Sequence, residues 1–221
     1  MNILYFLQQR TKFIRFFYEI SSKPFIEIKS SIEEEKEPFV PIYREEGEPQ
    51  FLEEWQSADH GVETVGHTCI SMLSSSLKLF FLAWVNRIER EHGIKIEIDF
   101  RKNGWFHGFL KLFSDLKIPL EIFKDDLIII EQVALARNRV QHPEDLTTIL
   151  VDHSARDLTK YPNPFFTNDA EIRSGLYKSD DDDKWWIKPT ISSTKDKIFH
   201  SIDLVERFCK YLDDHYLKRS A

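Results

Sequence analysis

The stretch ARNRVQHPE, residues 136–144, places an arginine, an asparagine and a histidine close together at the end of an apolar segment. Arg137 and Asn138 are adjacent, and His142 follows one helical turn later. A histidine titrates near neutral pH and can take or give a proton during a reaction. An arginine keeps its charge and can hold phosphate oxygens as negative charge develops on them. This combination suits acid–base chemistry at a phosphate group.

The spacing of these residues bears on how they could act together. Each residue of an α-helix turns by about 100°, so five steps place Arg137 and His142 about 140° apart. One copy of the chain would therefore not present both side chains on one helix face, whereas two copies related by a two-fold axis could. Arg137 also lies one helical repeat after Ile130, on the apolar side, where a charge prefers an interface or a cleft to a dry core. The spacing favours a composite site between two copies.

Arg137, Asn138 and His142 form an R-N-x-x-x-H motif, which resembles that of the HEPN superfamily, the helical domains of many prokaryotic defence and toxin ribonucleases. The family signature is an arginine followed four to six residues later by a histidine, often with an asparagine directly after the arginine. The resemblance rests on this motif and on a helical pattern that covers most of the chain. It implies a compact helical bundle that forms a homodimer and cuts RNA without a metal, leaving a 2′,3′-cyclic phosphate and a 5′-hydroxyl.

The resemblance also implies a role for each residue. His142 would act as general acid and base, Arg137 would stabilise the phosphate in the transition state, and Asn138 would orient that pair or contact the RNA backbone. Family members often carry an acidic residue upstream of the arginine. Glu131 is the candidate for this supporting position, where it could orient Arg137 or a histidine, and the alternatives are Asp125 and Asp126.

The sequence departs from the family pattern at two positions after the histidine. Pro143 follows His142 directly and biases it away from helical geometry, so the histidine is expected at a helix junction. Members of the family that pair with a nucleotidyltransferase antitoxin carry a tyrosine two residues after the histidine, where this chain has Glu144. Inactivation by tyrosine modification is therefore not expected.

The same residues could instead have structural roles. Arg137 could pair with Glu131 or Glu144, Asn138 could cap a helix, and His142 could cap the next one. Under this alternative the chain is a non-catalytic helical dimerisation or interaction module of a defence complex. The acidic composition agrees with that alternative.

A second group of polar residues, His60, Glu63 and His67, falls on one helix face. Two histidines and a carboxylate suit zinc or iron, but no second helix offers further ligands at a matching spacing. We therefore expect a polar helix face here, with no metal and no other cofactor. His153 is expected to contribute to surface chemistry rather than to catalysis.

The overall composition limits the class of protein. Hydrophobic residues make up 42% of the chain and the formal net charge is −7, which indicates a globular protein and disfavours a non-specific nucleic-acid coat protein. An enzyme with a local basic cleft remains compatible with this charge. Cys69 and Cys209 lack a zinc or CxxC spacing, which predicts two buried thiols in a reducing compartment. The longest apolar run, residues 79–85, is too short to span a bilayer, and no signal peptide is evident, so we expect a cytoplasmic protein.

The periodicity of apolar residues predicts a single all-α domain over residues 1–221, a bundle of four or more helices with one short extended excursion. Helices are predicted over residues 3–20, 52–92, 105–117, 121–141 and 194–216. Within residues 20–50, a Glu-rich stretch broken by prolines predicts an extended connector. The alternating sequence IKIEIDF, residues 94–100, predicts a short strand or an extended arm.

Apolar spacing also predicts which side chains of these helices point inward. In the first helix the predicted inward residues are Ile3, Phe6, Leu7, Phe13, Ile14, Phe17 and Ile20. In the fourth they are Ile122, Leu127, Ile130, Val133, Ala134 and Val140.

The expected partners of the bundle are an RNA substrate, a second copy of the chain, and an antitoxin or another member of a defence complex.

Overall fold

The computed structural model describes residues 2–42, 49–101, 104–143, 150–174 and 189–220. In these ranges the chain forms α-helices joined by loops, with a single 3-10 turn at Glu121–Phe123. The helices are α1 (Ile3–Glu33), α2 (Leu52–His92), α3 (Gly104–Asp115), α4 (Lys124–Gln141), α5 (Ala155–Lys160), α6 (Asp169–Ser174) and α7 (Lys195–Ser220). The described residues contain no β-strand, only the isolated bridges Asp152–Thr190 and Thr167–Ile191. The predicted all-α fold class is confirmed.

The first helix is longer than the sequence indicated. α1 continues through Pro24 to Glu33, so the predicted extended connector is wrong for residues 21–33. A proline inside a helix removes one backbone hydrogen bond, but packing against α2 outweighs that loss here. The ring of Phe25 lies directly over Gly61, and Lys29 Nζ lies 2.5 Å from Asp59 Oδ1.

α2 is the central helix of the bundle, and its predicted bounds are confirmed. It stays continuous through Gly61 and Gly66, where the missing side chains let neighbouring segments approach closely. A Cβ atom at Gly66 would lie 2.5 Å from the backbone oxygen of Ser193. Glycine at this position therefore lets the segment before α7 pack directly on α2.

By length and composition alone, α2 is apolar enough to cross a membrane, with a mean hydropathy of 1.5 over its most apolar window. However, 56% of that window is buried inside the described fold. Core helices of soluble proteins have the same character, so this one helix is weak evidence for a membrane span.

An aromatic cluster joins α2, α3 and α7 around Phe81, which is fully buried. The ring centroid of Phe81 lies 5.1 Å from those of both Phe109 and Phe113, and 6.1 Å from that of Phe208. Phe109 and Phe113 are one helical turn apart on α3, and burying them fixes the direction in which the other face of α3 points. This packing therefore helps to position His107, on that other face.

The burial of the two cysteines agrees with the prediction. Cys69 and Cys209 are both free and fully buried. Burial raises the pKa of the Cys69 thiol to about 12, and burial also raises the pKa of the Cys209 thiol well above its usual value. Neither thiol is set up to react as a thiolate at neutral pH.

Several predicted inward residues are exposed. Phe6, Phe13 and Ile20 of α1 are 53%, 52% and 55% exposed, because the apolar face of α1 is wider than the surface that α2 and α7 cover. Ile122 is 69% exposed, because it lies in the 3-10 turn rather than in α4, where the helical register starts only at Lys124. The predicted burial of these four residues is wrong.

Residues 94–100 form no strand; they are an irregular arm between α2 and α3. Ile96, Ile98 and Phe100 of this arm pack against the core, which accounts for the alternation in the sequence. The sequence predicted a short strand or an extended arm for these residues, and the arm is confirmed.

Candidate active site

The R-N-x-x-x-H motif lies at the C-terminal end of α4. Ile130, Val133 and Ala136 are buried on one side of this helix, while Arg137 is half-buried at the edge of that side and Asn138 is exposed. Arg137 Nη1 donates a hydrogen bond to Asn138 Oδ1 at 3.0 Å. The arginine is therefore at the boundary between core and solvent, as expected for a charge at this position.

His142 is the residue immediately after α4, with φ −132° and ψ 65°, outside the helical region. Its backbone N–H donates to the carbonyl oxygens of Asn138 and Arg139, at 3.1 and 3.2 Å, and its side chain is exposed. The expectation that Pro143 keeps this histidine out of helical geometry is confirmed. Both His142 and Arg137 are accessible to a substrate.

A single copy of the chain does not join the two ends of the motif. Among the described residues, no hydrogen bond or ion pair links Arg137 to His142. Glu144, one of the suggested structural partners of Arg137, lies outside the described residues. The expectation that a second copy contributes to the site therefore rests on the spacing of the motif along the helix.

Glu131, the predicted supporting residue, is 8% exposed and accepts hydrogen bonds from three side chains. His107 Nε2 lies 2.9 Å from Oε1, and the Tyr161 hydroxyl donates to Oε2 at 2.7 Å. Lys160 Nζ also donates to Oε1. Burial alone would raise the pKa of Glu131, but the hydrogen bonds from Lys160, Tyr161 and His107 outweigh it and lower the pKa.

The structure separates the candidates for the supporting role. Glu131 does hold a histidine, but that histidine is His107 of α3 rather than His142. Asp126 is paired with Arg207 of α7, and Asp125 is exposed in the first turn of α4. Of the three acidic residues, only Glu131 shares a cavity with Asn138.

This cavity has a volume of about 780 Å³ and lies between the arm, α3, α4 and α5. Besides Glu131 and Asn138, its charged lining comprises Arg101, His107, Arg139, Arg156, Asp157 and Lys160. Four permanently cationic side chains thus face two carboxylates, in a chain with a formal net charge of −7. The cavity is therefore a local basic cleft of the kind that is compatible with the acidic overall composition.

Sequence reasoning missed most of this lining. His107 could have been noticed, since it is the one histidine within the apolar segment GWFHGF, residues 104–109. Lys160 and Tyr161 gave no signal, because their partner Glu131 is about 30 residues away in sequence. Only the tertiary fold brings them together.

The second polar group, on α2, has structural partners. His67 Nε2 lies 3.0 Å from the carbonyl oxygen of Ile191, and the Glu63 carboxylate accepts from Ser192 Oγ and the Ser193 N–H, each at 3.0 Å. These contacts hold residues 191–193 against α2. In the described part of the chain, no three His, Cys, Asp or Glu residues are grouped as metal ligands.

The expectation of surface chemistry at His153 is wrong, because this side chain is buried. Its Nε2 lies 2.8 Å from the carbonyl oxygen of Phe166 and 2.9 Å from Thr167 Oγ1. Burial lowers the pKa of His153. The residue ties two loops together in its neutral form.

No protein-family model matches this chain, and no curated protein or solved structure is significantly similar to it.

The charge of Glu131 is expected to stabilise the fold in a pH-dependent way. Because the folded-state pKa is lowered, this contribution is present above the ordinary glutamate value and is lost as the pH falls through the folded-state pKa. Glu131→Gln should cost roughly 2 kcal/mol at neutral pH and clearly less near pH 4. Urea unfolding at both pH values measures this difference. Glu121→Gln, at an exposed glutamate, is the control; an equal loss at both pH values would contradict the prediction.

Proposed function

We propose that this protein is a metal-independent endoribonuclease of the HEPN type that acts in antiphage defence or in a toxin–antitoxin system in the cytoplasm. The observation that carries the proposal is the placement of Arg137 and His142. Both are accessible at the C-terminal end of α4, and Asn138, next to Arg137, lines a cavity rich in cationic side chains on an otherwise acidic chain. The all-α architecture agrees with the resemblance of the motif.

The chemistry needs only proton transfer and charge stabilisation. The imidazole of His142 would take the proton of a 2′-hydroxyl, whose oxygen then attacks the adjacent phosphorus. The bond from phosphorus to the 5′-oxygen breaks, and that oxygen would take the proton from the protonated His142 imidazole to become a 5′-hydroxyl. Arg137 would hold the non-bridging phosphate oxygens as charge builds on them, and Asn138, hydrogen-bonded to Arg137, would orient it.

A second copy of the chain would complete this site. Phe6, Phe13 and Ile20 recur at seven-residue steps along one exposed face of α1. A cavity of about 640 Å³ between α1 and α2 includes Phe13 in its lining and reaches Gln141, the residue before His142. A partner seated on this apolar face would therefore lie next to the histidine.

Phe13→Asp is expected to convert a homodimer into a monomer, because a charge would be buried in an apolar interface. Light scattering coupled to size exclusion measures the mass of the 26.3 kDa chain and of its dimer. Ile122→Asp is the matched control, since Ile122 is an exposed apolar residue in the 3-10 turn before α4. A variant as dimeric as the wild type would exclude this face as the interface.

The test of the activity uses protein freed of metal with EDTA. Wild-type protein should cut an RNA oligonucleotide and leave 2′,3′-cyclic phosphate ends. It should not cut the same sequence made with 2′-O-methyl sugars, which lack the nucleophile. Cleavage of both substrates, or products with 3′-hydroxyl ends, would exclude this mechanism.

The alternative function is a non-catalytic dimerisation or interaction module of a defence complex. The observation that favours it is that Glu131 is hydrogen-bonded to His107, Lys160 and Tyr161 and to neither end of the motif. This alternative predicts a dimer that does not cut RNA and whose binding to an antitoxin or complex partner survives substitution of Arg137.

A further inference from the structure

The floor of the cavity between α3, α4 and α5 is a fixed hydrogen-bonded cluster around the carboxylate of Glu131. Glu131 accepts from His107 and Lys160 through Oε1 and from Tyr161 through Oε2. Both carboxylate oxygens are thus engaged, and Lys160 Nζ lies 3.2 Å from His107 Nε2. These contacts hold a lysine and a histidine side by side, with 46% and 38% of their side chains still exposed.

The rim of the cavity adds the cationic groups of Arg156 and Arg139 and the carboxylate of Asp157. Arg156 is exposed in the first turn of α5, and no ion pair to another described residue involves its guanidinium. Arg139, on α4, is anchored by a hydrogen bond of 3.0 Å from Nε to the carbonyl oxygen of Asp152. Arginine guanidinium groups bind phosphate oxygens in a bidentate geometry, so this rim is suited to phosphates.

The position and shape of the cavity favour a strand over a small anion. Its volume of about 780 Å³ falls in the range that holds ligands much larger than one phosphate. Phe100 and Leu135 give it an apolar wall on which a base could rest. Asn138 also lines it, and the Asn138 side chain is hydrogen-bonded to Arg137. A strand lying in the cavity would therefore lead to the motif.

We propose that this cavity binds the phosphate backbone of a single RNA strand next to the cleavage site, with Arg156 and Lys160 as the phosphate contacts. This assignment rests on the proposed ribonuclease function and adds the binding path of the substrate to it. Glu131 fixes the orientation of the His107 ring beside this path through the Nε2 contact.

The test measures binding separately from cleavage. Wild-type protein and Arg156→Ala are titrated into a fluorescent 2′-O-methyl RNA at several salt concentrations. Arg156→Ala should weaken binding about tenfold at low salt and reduce the slope of log K against log salt by about one. Arg90→Ala, at an exposed arginine in the last turn of α2, should change neither quantity. Because Arg156 is exposed, circular dichroism should show unchanged folding.

A competition experiment distinguishes an RNA strand from a small phosphate ligand. Adenosine monophosphate and inorganic phosphate are added in place of unlabelled RNA, and a strand site predicts that neither displaces the labelled RNA as well as RNA does. Displacement by the mononucleotide at the same concentration as by RNA would overturn the strand assignment.

The outcomes separate this proposal from the ribonuclease function. If the protein cleaves RNA but its RNA binding does not depend on Arg156, the ribonuclease function is supported and the cavity is excluded as the RNA-binding site. If RNA binding depends on Arg156 but the wild-type protein cuts no RNA, the cavity is supported as the binding site and the ribonuclease function is excluded.

Discussion

Arg137→Ala and His142→Ala are each expected to lower the rate of RNA cleavage by about 10²–10⁴-fold. In the proposed mechanism, the arginine variant would lose the charge that holds the phosphate oxygens, and the histidine variant would lose the group that transfers the proton. Neither change should unfold the protein, since Arg137 is half-buried with a hydrogen bond only to its neighbour Asn138, and His142 is exposed after the end of α4. Single-turnover cleavage of a labelled RNA measures both losses.

Matched controls exclude a contaminating nuclease and a general effect of charge. Arg90→Ala and His60→Ala remove one arginine and one histidine from α2 without touching the motif or the cationic cavity. Both controls should cleave at the wild-type rate. If all four variants retained equal activity, the cleavage would come from another protein, and the interaction-module alternative would take precedence.

Phe81→Ala is expected to have the largest effect on stability, about 3–5 kcal/mol. Phe81 is fully buried, and its ring contacts those of Phe109 and Phe113 of α3 and Phe208 of α7. Truncating it would open a cavity at the junction of three helices. Since α3 carries His107, we expect the basic cavity to lose its geometry as well.

Urea unfolding followed by circular dichroism measures this loss. Phe16→Ala is the matched control, because Phe16 is 56% exposed on α1 and should cost less than about 1 kcal/mol. Equal destabilisation by the two substitutions would contradict the central place of Phe81 in the core.

The parts of the fold that the sequence predicted are those governed by local pattern. The bounds of α2 and the burial of Leu7, Ile14, Ile130 and Val133 follow directly from apolar spacing. The continuation of α1 through Pro24 could not be predicted in this way. It depends on Phe25 and Lys29 finding partners on α2, which are contacts between separate segments.

The same division holds at the candidate site. The non-helical geometry of His142 follows from Pro143, a steric effect between neighbours, and it was predicted. The hydrogen bonds from His107 and Lys160 to Glu131 were not predicted, because those partners lie 24 and 29 residues away in the chain. The sequence indicated that Glu131 could orient a histidine, and the fold decided which one.

The central claim of this account is that Arg137 of one copy and His142 of another act on the same phosphate. The most direct measurement uses a heterodimer of Arg137→Ala and His142→Ala chains, carrying two different tags and purified through both. Each site takes its arginine from one chain and its histidine from the other, so one of the two sites stays intact. The heterodimer should cleave RNA at about half the wild-type rate, while each variant homodimer is inactive. A heterodimer as inactive as both homodimers, beside an active wild type, would contradict the claim.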